Sequence, residues 1–584
     1  MKIFSRFKDI RFLLKPWWKC GKILLVSYGI TAVIFAPLAS YFSTTLAQAV
    51  IDKIQTGRTY IEALTTGLVY MTIALFFSLL KSAFEDLYLR WKKQDVEGHV
   101  EREIYKKALQ TDFKHFDKPE YFDSYKLTTE EFATQSSAMM ENLFSILREV
   151  SKFIVYGALI ATQGPVLFLI VFFCACFVAY AQIYWSKISV ERETLMVNER
   201  RKADYLRRLF FDQNAIADMH SSKISTPLLG MFDSSVKSRM DIYKKYGSKE
   251  LLIDGLVLIA QVGTTFAVPT YVAWGVLAGN FDSIGVYATL IASSLALKET
   301  LNALGWWGSQ VSGGIAYAKK VRAFFETEST IESTTSGISA DQGPFSVVLE
   351  HVFYHYPNSD FSLKDINLNI SEGSRIAIVG ENGAGKTSLT KLLLRLYDAD
   401  SGVIKINGRP IAQYNTSEIR SKIGVAFQNS RLYALSVREN MESYARADSE
   451  HLMRTLADVG LDLDLNSQVT KEFDESGVVL SGGDTQKLCL TRLMHSDFGL
   501  LILDEPSSAL DPIAEYNLAK LMFDRSPTTT VMIAHRLSTV VNADKIYLLS
   551  DGRIVEAGTH EQLMNLNGKY AEMFAKQAEG YLHQ

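Results

Sequence analysis

Six apolar stretches fall within the first 310 residues of this 584-residue chain, each long enough to cross a bilayer as a helix. The hydrocarbon layer needs about 20 apolar residues at the helical rise, and it leaves no backbone polar group free to stay unpaired. The stretches run approximately Ile23–Ala49, Ile61–Phe84, Leu143–Thr162, Val166–Trp185, Leu251–Leu277 and Ile284–Trp307, so this half reads as an all-α membrane bundle of six spans. In the third, Arg148, Glu149 and Lys152 stand near the start, which moves its expected membrane entry to about Phe153.

Lys and Arg accumulate on the cytoplasmic side of membrane spans. Lys92, Lys93, Arg102, Lys106 and Lys107 follow the second stretch, and Arg200, Arg201, Lys202, Arg207, Arg208, Lys244 and Lys245 follow the fourth. The turn Gln163-Gly164-Pro165 and the segment 279–282 carry no such charge and are expected outside, which puts both termini in the cytoplasm. Lys53 and Arg58 depart mildly from this pattern. Residues 1–21 place Ile3, Phe7, Ile10, Leu14 and Trp17 at helical spacing among six Lys and Arg, the pattern of a helix lying in the cytoplasmic interface.

With a net charge of -3 there is no basic excess to bind nucleic acid non-specifically. Hydrophobic residues at 48% and charged residues at 21% exclude a disordered chain. Cys20, Cys174, Cys176 and Cys489 have neither disulfide-framework nor zinc-site spacing.

Past Phe325 the composition changes. Residues 326–344 are rich in Ser, Thr and Glu without apolar period and read as a linker; a soluble α/β domain is expected over 345–584. In it the apolar run Arg375–Val379 leads into Gly380-Glu381-Asn382-Gly383-Ala384-Gly385-Lys386-Thr387-Ser388, followed by Leu389, Leu392, Leu393 and Leu396 at helical spacing. That is a P-loop in its strand-loop-helix setting: backbone N–H groups converge on phosphate oxygens, Lys386 adds a charge at the β and γ phosphates, and Thr387 offers a hydroxyl to a metal ion. A second apolar strand, Leu500–Leu503, ends in Asp504-Glu505. A carboxylate pair can be a solvated turn, but beside a P-loop Asp504 suits magnesium and Glu505 suits the base that polarises a water.

Taken with Leu480-Ser481-Gly482-Gly483-Asp484, these residues resemble the nucleotide-binding domain of ATP-binding cassette (ABC) transporters over nearly the whole of Phe345–Gln584. The resemblance implies ATP and magnesium as cofactors. It makes Tyr356 the ring that stacks on adenine, Gln428 a glutamine that touches magnesium and water, Asp511 a D-loop residue and His535 a contact to the γ phosphate. It implies that Ser481, Gly482 and Gly483 face the P-loop of a second subunit. One chain carries one P-loop and one such segment, so it is expected to dimerise, as a homodimer or with a different partner.

Two positions depart from the family pattern: Asp484 stands where Gln is usual, and Asp474, within Glu472–Gly477, stands where Gly is usual. Spans first and cassette last resemble an exporter, in which Phe113–Glu131 and Leu209–Ser222 look like coupling segments. The style of Phe116–Ser124 and of Ser481–Lys487 is similar to bacterial peptide and lantibiotic exporters. A dimeric pump in the bacterial plasma membrane, moving a peptide or hydrophobic small molecule by alternating access, is the expectation; lipid flipping and an ATP-gated regulator or channel are the alternatives. Asp254, Lys298 and Glu299 stand out as ionisable residues in spans, where a substrate portal or a structural pair is expected.

Overall fold

The computed structural model describes residues 2–278, 284–331, 337–356, 361–428, 430–505, 517–518, 520–522 and 528–582. The chain divides into two compact units: Met1–Ala108 with Asp123–Glu326, and Leu109–Phe122 with Thr327–Gln584.

The first unit is helical. Its long helices are Lys22–Gln55, Tyr60–Leu109, Pro119–Gln163, Pro165–Leu209, Ser225–Leu277 and Ile284–Glu326. Gly164 and Pro165 separate the third from the fourth, with Pro165 in the first helical position, where its missing N–H costs nothing. Among the described residues five of these helices are long and apolar enough by themselves to cross a membrane; Pro119–Gln163, which carries the third apolar stretch, is not. The reason lies in its charges. Arg148 reaches Glu85 at 3.1 Å and Lys152 reaches Glu149 at 3.0 Å, so all four side chains sit in one network with Glu149 buried. Glu85 belongs to a wide π turn, Ala83–Leu89, in the neighbouring helix. A sliding average over sequence registers the charges but not their partner, which lies 63 residues away.

The N-terminal helix Lys2–Cys20 buries a face turned slightly from the one its apolar spacing suggests, with Trp17 common to both. Leu13 and Trp17 are fully buried, Phe7 is exposed, and Asp9 is buried against Arg322 at 2.7 Å. Ser136 donates to the carbonyl of Leu13, and Phe12 packs against Phe132 and Phe325. Asp9, Leu13 and Trp17 share a face at i, i+4, i+8, and that face meets other helices of the unit. After Leu209 a short helix, Gln213–Ser221, links the fourth long helix to the fifth.

The second unit is built on two sheets. Strands β1 (Val347–His355), β2 (Ser362–Ile370), β4 (Ser401–Ile406) and β5 (Arg409–Pro410) form an antiparallel sheet in the order β2-β1-β4-β5. The other has the order β10-β9-β3-β8-β7-β6, formed by β3 (Arg375–Val379), β6 (Ile423–Ala426), β7 (Leu500–Asp504), β8 (Thr529–Ile533), β9 (Lys545–Ser550) and β10 (Arg553–Gly558). Strands β9, β3, β8, β7 and β6 are parallel. Ile376, Ile378, Leu500, Ile502, Val531 and Ile533 pack on one face, while Ala377, Val379, Leu501, Leu503 and Met532 pack on the other. A sheet covered on both faces needs strands that are apolar throughout, which is why Arg375–Val379 and Leu500–Leu503 read as unbroken apolar runs. Helices Val437–Met441, Ser449–Asp458 and Gly482–Thr491 form the helical part.

The segment read as a linker is fastened where it is described. Asp112, fully buried, accepts hydrogen bonds from the backbone of Thr330 at 2.9 Å and Ile331 at 3.1 Å. Ile338 donates to the carbonyl of Gln413 and forms a bridge with Tyr414.

Candidate nucleotide site

Because β3, β8, β7 and β6 run parallel, their C-terminal ends lie along one edge of the sheet, and each delivers part of the site there. Ile378 pairs with Ile533, Ile533 with Asp504, and Leu503 with Ala426. The P-loop leaves β3, His535 follows β8, Asp504 and Glu505 end β7, and Gln428 follows β6. Ligands of such sheets collect outside the carboxyl ends of the strands. A cavity of about 460 Å³ opens there, lined by P-loop residues Asn382 to Ser388 together with Phe361, Gln428, Glu505 and His535.

Two glycines shape the loop. Gly380 has φ +156°, and a Cβ on it would fall 2.2 Å from the carbonyl oxygen of Leu549. Gly385 has φ +110°, and a Cβ there would fall 2.6 Å from Leu363 and 2.7 Å from Phe361. Neither position tolerates a side chain. Gly385 leads directly into the helix Lys386–Leu393, whose first N–H groups and dipole favour an anion.

Lys386 is buried and turns its ammonium back onto the loop, donating to the carbonyls of Gly380 at 2.8 Å and Glu381 at 3.2 Å. Burial pushes its pKa down, and the charges of Glu505 and Asp504 pull it back up. Asp504 is 1% exposed, and neither of its carboxylate oxygens has a hydrogen bond of normal geometry among the described residues. Burial and the repulsion of Glu505 push its pKa up to about 6, while Lys386 and the nearby Thr387 hydroxyl oppose the rise. A buried carboxylate without a partner is costly. Such a group beside a threonine hydroxyl suits a hard cation, which prefers oxygen ligands. Among the described residues no group of three His, Cys, Asp or Glu makes a metal centre by itself, so a cation here would be shared with phosphate oxygens.

Glu505 sits in the left-handed region, φ 49°, held by its backbone N–H on the carbonyl of Ile533 at 3.0 Å. Gln428 donates to Glu505 Oε2 at 2.5 Å, and His535 Nε2 meets the other oxygen, Oε1. Two expected residues therefore meet on the carboxylate of a third.

The other expected residues are placed differently. Ser481 caps the helix Gly482–Thr491: its hydroxyl accepts from the backbone of Asp484 at 3.2 Å and donates to the Asp484 carboxylate at 2.8 Å. Ser481, Gly482 and Gly483 do not line this chain's own P-loop cavity. Asp511 lies outside the described residues. Asp474, within residues 472–477, accepts from both the backbone and the hydroxyl of Ser476 and closes a local turn; those bonds hold its pKa below the usual carboxylate range.

Tyr356 is not among the lining residues, and Phe361 is the ring that faces the loop. Tyr356 instead joins a cluster that sequence reasoning missed. Lys391 donates to the Tyr356 hydroxyl at 2.9 Å and lies 5.3 to 5.4 Å from the ring centres of Phe113, Tyr356 and Tyr397. The Tyr397 hydroxyl donates to Asp117, and Tyr356 reaches the same carboxylate oxygen at 3.3 Å. Burial first, and the Asp117 bond second, push the Tyr397 pKa well up. The only sequence signal was the aromatic density of Phe113–Phe122.

Two family models match the chain: the ABC transporter transmembrane region over residues 23–204 and the ABC transporter domain over residues 363–508. The chain belongs to the ABC transporters. It is a multi-pass membrane protein, with a helical transmembrane domain followed by an ATP-binding domain of α/β fold. An ATP-dependent lipid A-core flippase of Legionella pneumophila (strain Paris) is 31% identical over 353 residues, 59% of this chain and 59% of that protein. The chain thus matches about three fifths of that relative's length. A protein of the same name from Alkalilimnicola ehrlichii is 26% identical over 98% of this ABC transporter and 97% of the relative. Among solved structures, a bacterial Atm1-family ABC exporter with ATP bound shares the fold, with TM-score 0.77 and 21% identity over 95% of this chain and 98% of that one.

Proposed function

We propose that the chain is one half of a dimeric ATP-driven exporter that moves an amphiphilic cargo across the bacterial plasma membrane by alternating access, its termini and nucleotide domain in the cytoplasm. The observation that carries this reading is the meeting of Gln428, Glu505 and His535 beside the P-loop. In it Glu505 is the base that takes a proton from the attacking water, Gln428 and His535 position that water and the γ phosphate, and Lys386 neutralises phosphate charge. Magnesium, when bound with the nucleotide, would supply further charge neutralisation, and Thr387, Asp504 and Gln428 would hold it.

Dimerisation is supported by the separation of Ser481–Gly483 from the chain's own P-loop cavity, which leaves that segment for a second copy or a different partner. Asp511 belongs to the same reading. For Tyr356 the proposal is that its ring reaches adenine from the edge of the Lys391 cluster. Residues 1–21 are read as an interfacial helix, 22–325 as the membrane domain with coupling segments near Phe113–Glu131 and Leu209–Ser222, 326–344 as the linker and 345–584 as the nucleotide domain.

A peptide cargo rests on loop style alone, whereas lipid flipping is supported by the names of the two relatives. Magnesium-dependent ATP hydrolysis by the purified chain, alongside Glu505→Gln, tests the core of the proposal. Turnover that survives the substitution sinks the role given to Glu505. ATP-driven movement of labelled lipid against labelled peptide in proteoliposomes then separates the cargoes.

A further inference from the structure

A second cavity lies wholly within the helical unit, among the helices Pro165–Leu209, Ser225–Leu277 and Ile284–Glu326. Its volume is about 210 Å³, and Gln182, Trp185, Asp254, Trp306 and Ser309 stand in its wall. We propose that it binds an organic ammonium cation carrying an apolar group.

Every polar feature that the argument uses is an acceptor or a π face. Asp254 brings a carboxylate that no ion pair holds among the described residues. Of the cations on the same helices, Arg192 is held by Glu250 at 2.6 Å, and Lys298 donates to the carbonyl of Gln261 at 3.2 Å and the hydroxyl of Thr265 at 2.8 Å. The carbonyl oxygen of Gln182 is buried and accepts no hydrogen bond among the described residues. Gly305 makes room for it, since a Cβ at that position would fall 1.3 Å from the Gln182 oxygen. Trp185 and Trp306 supply the aromatic faces on which ammonium groups rest, and indole is the strongest of the natural faces.

Asp254 is exposed at this cavity, and an ionisable side chain in a membrane-crossing helix is a default candidate for binding. The partner that satisfies Asp254, the Gln182 oxygen and two indoles together is a cation with an apolar body. An anionic headgroup would meet Asp254 with repulsion, so this cavity is not a seat for a lipid phosphate.

As a statement about binding, the proposal stands without ATP turnover; only its meaning for cargo rests on the exporter reading. The test is equilibrium binding of labelled benzyltrimethylammonium to the full chain in lipid nanodiscs without nucleotide, with 3-phenylpropionate as the anionic counterpart. Saturable binding of the cation is expected, weakened tenfold or more by Asp254→Asn and by Trp306→Leu and restored by Asp254→Glu, with no binding of the anion. The proposal is overturned if Asp254→Asn binds as the parent does, if the anion binds as tightly as the cation, or if no saturable binding occurs. Loss of hydrolysis in a separate ATPase assay would fault the exporter reading and leave this result untouched.

Discussion

The amide of Gln428 donates to Glu505 at 2.5 Å, while His535 closes on the other oxygen of the same carboxylate. Both partners tie Glu505 down from opposite sides. Removing one leaves the carboxylate free to turn away from the line of attack, and positioning losses of this kind appear in kcat before KM. We expect His535→Ala to lower kcat about 10- to 100-fold with KM for ATP changed less than about threefold. A loss seen only in KM would mean that His535 serves binding.

The bond that Ser481 donates to Asp484 bears on the proposed role of Ser481. The hydroxyl that the family would offer to a partner's γ phosphate is occupied by a carboxylate, and that carboxylate adds a negative charge beside the incoming phosphate. Gln at this position still suits the third residue of a helix, so stability is expected to change by less than about 0.5 kcal/mol. ATP turnover by Asp484→Gln should rise severalfold through a lower KM, measured by steady-state hydrolysis. Unchanged kinetics would show that Asp484 swings clear when two copies meet.

Asp117 is the acidic member of the Tyr356–Tyr397–Lys391 cluster. Asp117→Asn keeps the shape but turns a hydrogen bond to a charged acceptor into a neutral one, a loss of about 1 kcal/mol. Hydrogen exchange in residues 109–122 should quicken in this variant while the P-loop is unaffected. Equal exchange in both segments before and after substitution would show that the cluster does not fasten 109–122.

Arg375 and Asp544 join the start of β3 to the residue before β9 through a guanidinium bond at 2.8 Å and a backbone bond at 2.8 Å. The Arg375 bond holds the Asp544 carboxyl below its ordinary 3.8, against the opposing pull of partial burial. A depressed folded pKa means stabilisation that is complete above the unfolded value and is lost as pH falls through the folded one. Being half exposed, the pair contributes about 0.2 to 1 kcal/mol. Melting temperatures of the parent and Asp544→Asn should differ at pH 7, and the gap should close as the pH falls below 3.8 through the lowered folded value. A gap that persists in acid would assign the effect to packing.

Local pattern revealed much of this molecule and missed what depends on distant pairs. Arg375–Val379 and Leu500–Asp504 were legible because a sheet covered on both faces demands unbroken apolar strands, and the P-loop because its glycines carry conformations that other residues avoid. Glu85 could not be matched to Arg148, nor Asp9 to Arg322, because those partners are set by helix packing across tens or hundreds of residues. The same blindness hid Asp112, whose role is to hold the backbone of Thr330 and Ile331. At Tyr356 the motif pointed to adenine, but its neighbours Lys391 and Tyr397 lie some 35 to 41 residues along the chain and no local pattern names them.

The assignment of Leu109–Phe122 to the nucleotide-binding unit means that the polypeptide passes between the two units three times, after Ala108, after Phe122 and after Glu326. A single protease cut between Glu326 and Thr330 would therefore not set the C-terminal fragment adrift. The peptide carrying Asp112 and Asp117 would stay covalently part of the N-terminal fragment while its side chains kept hold of the other, so the nicked halves would travel together until denatured.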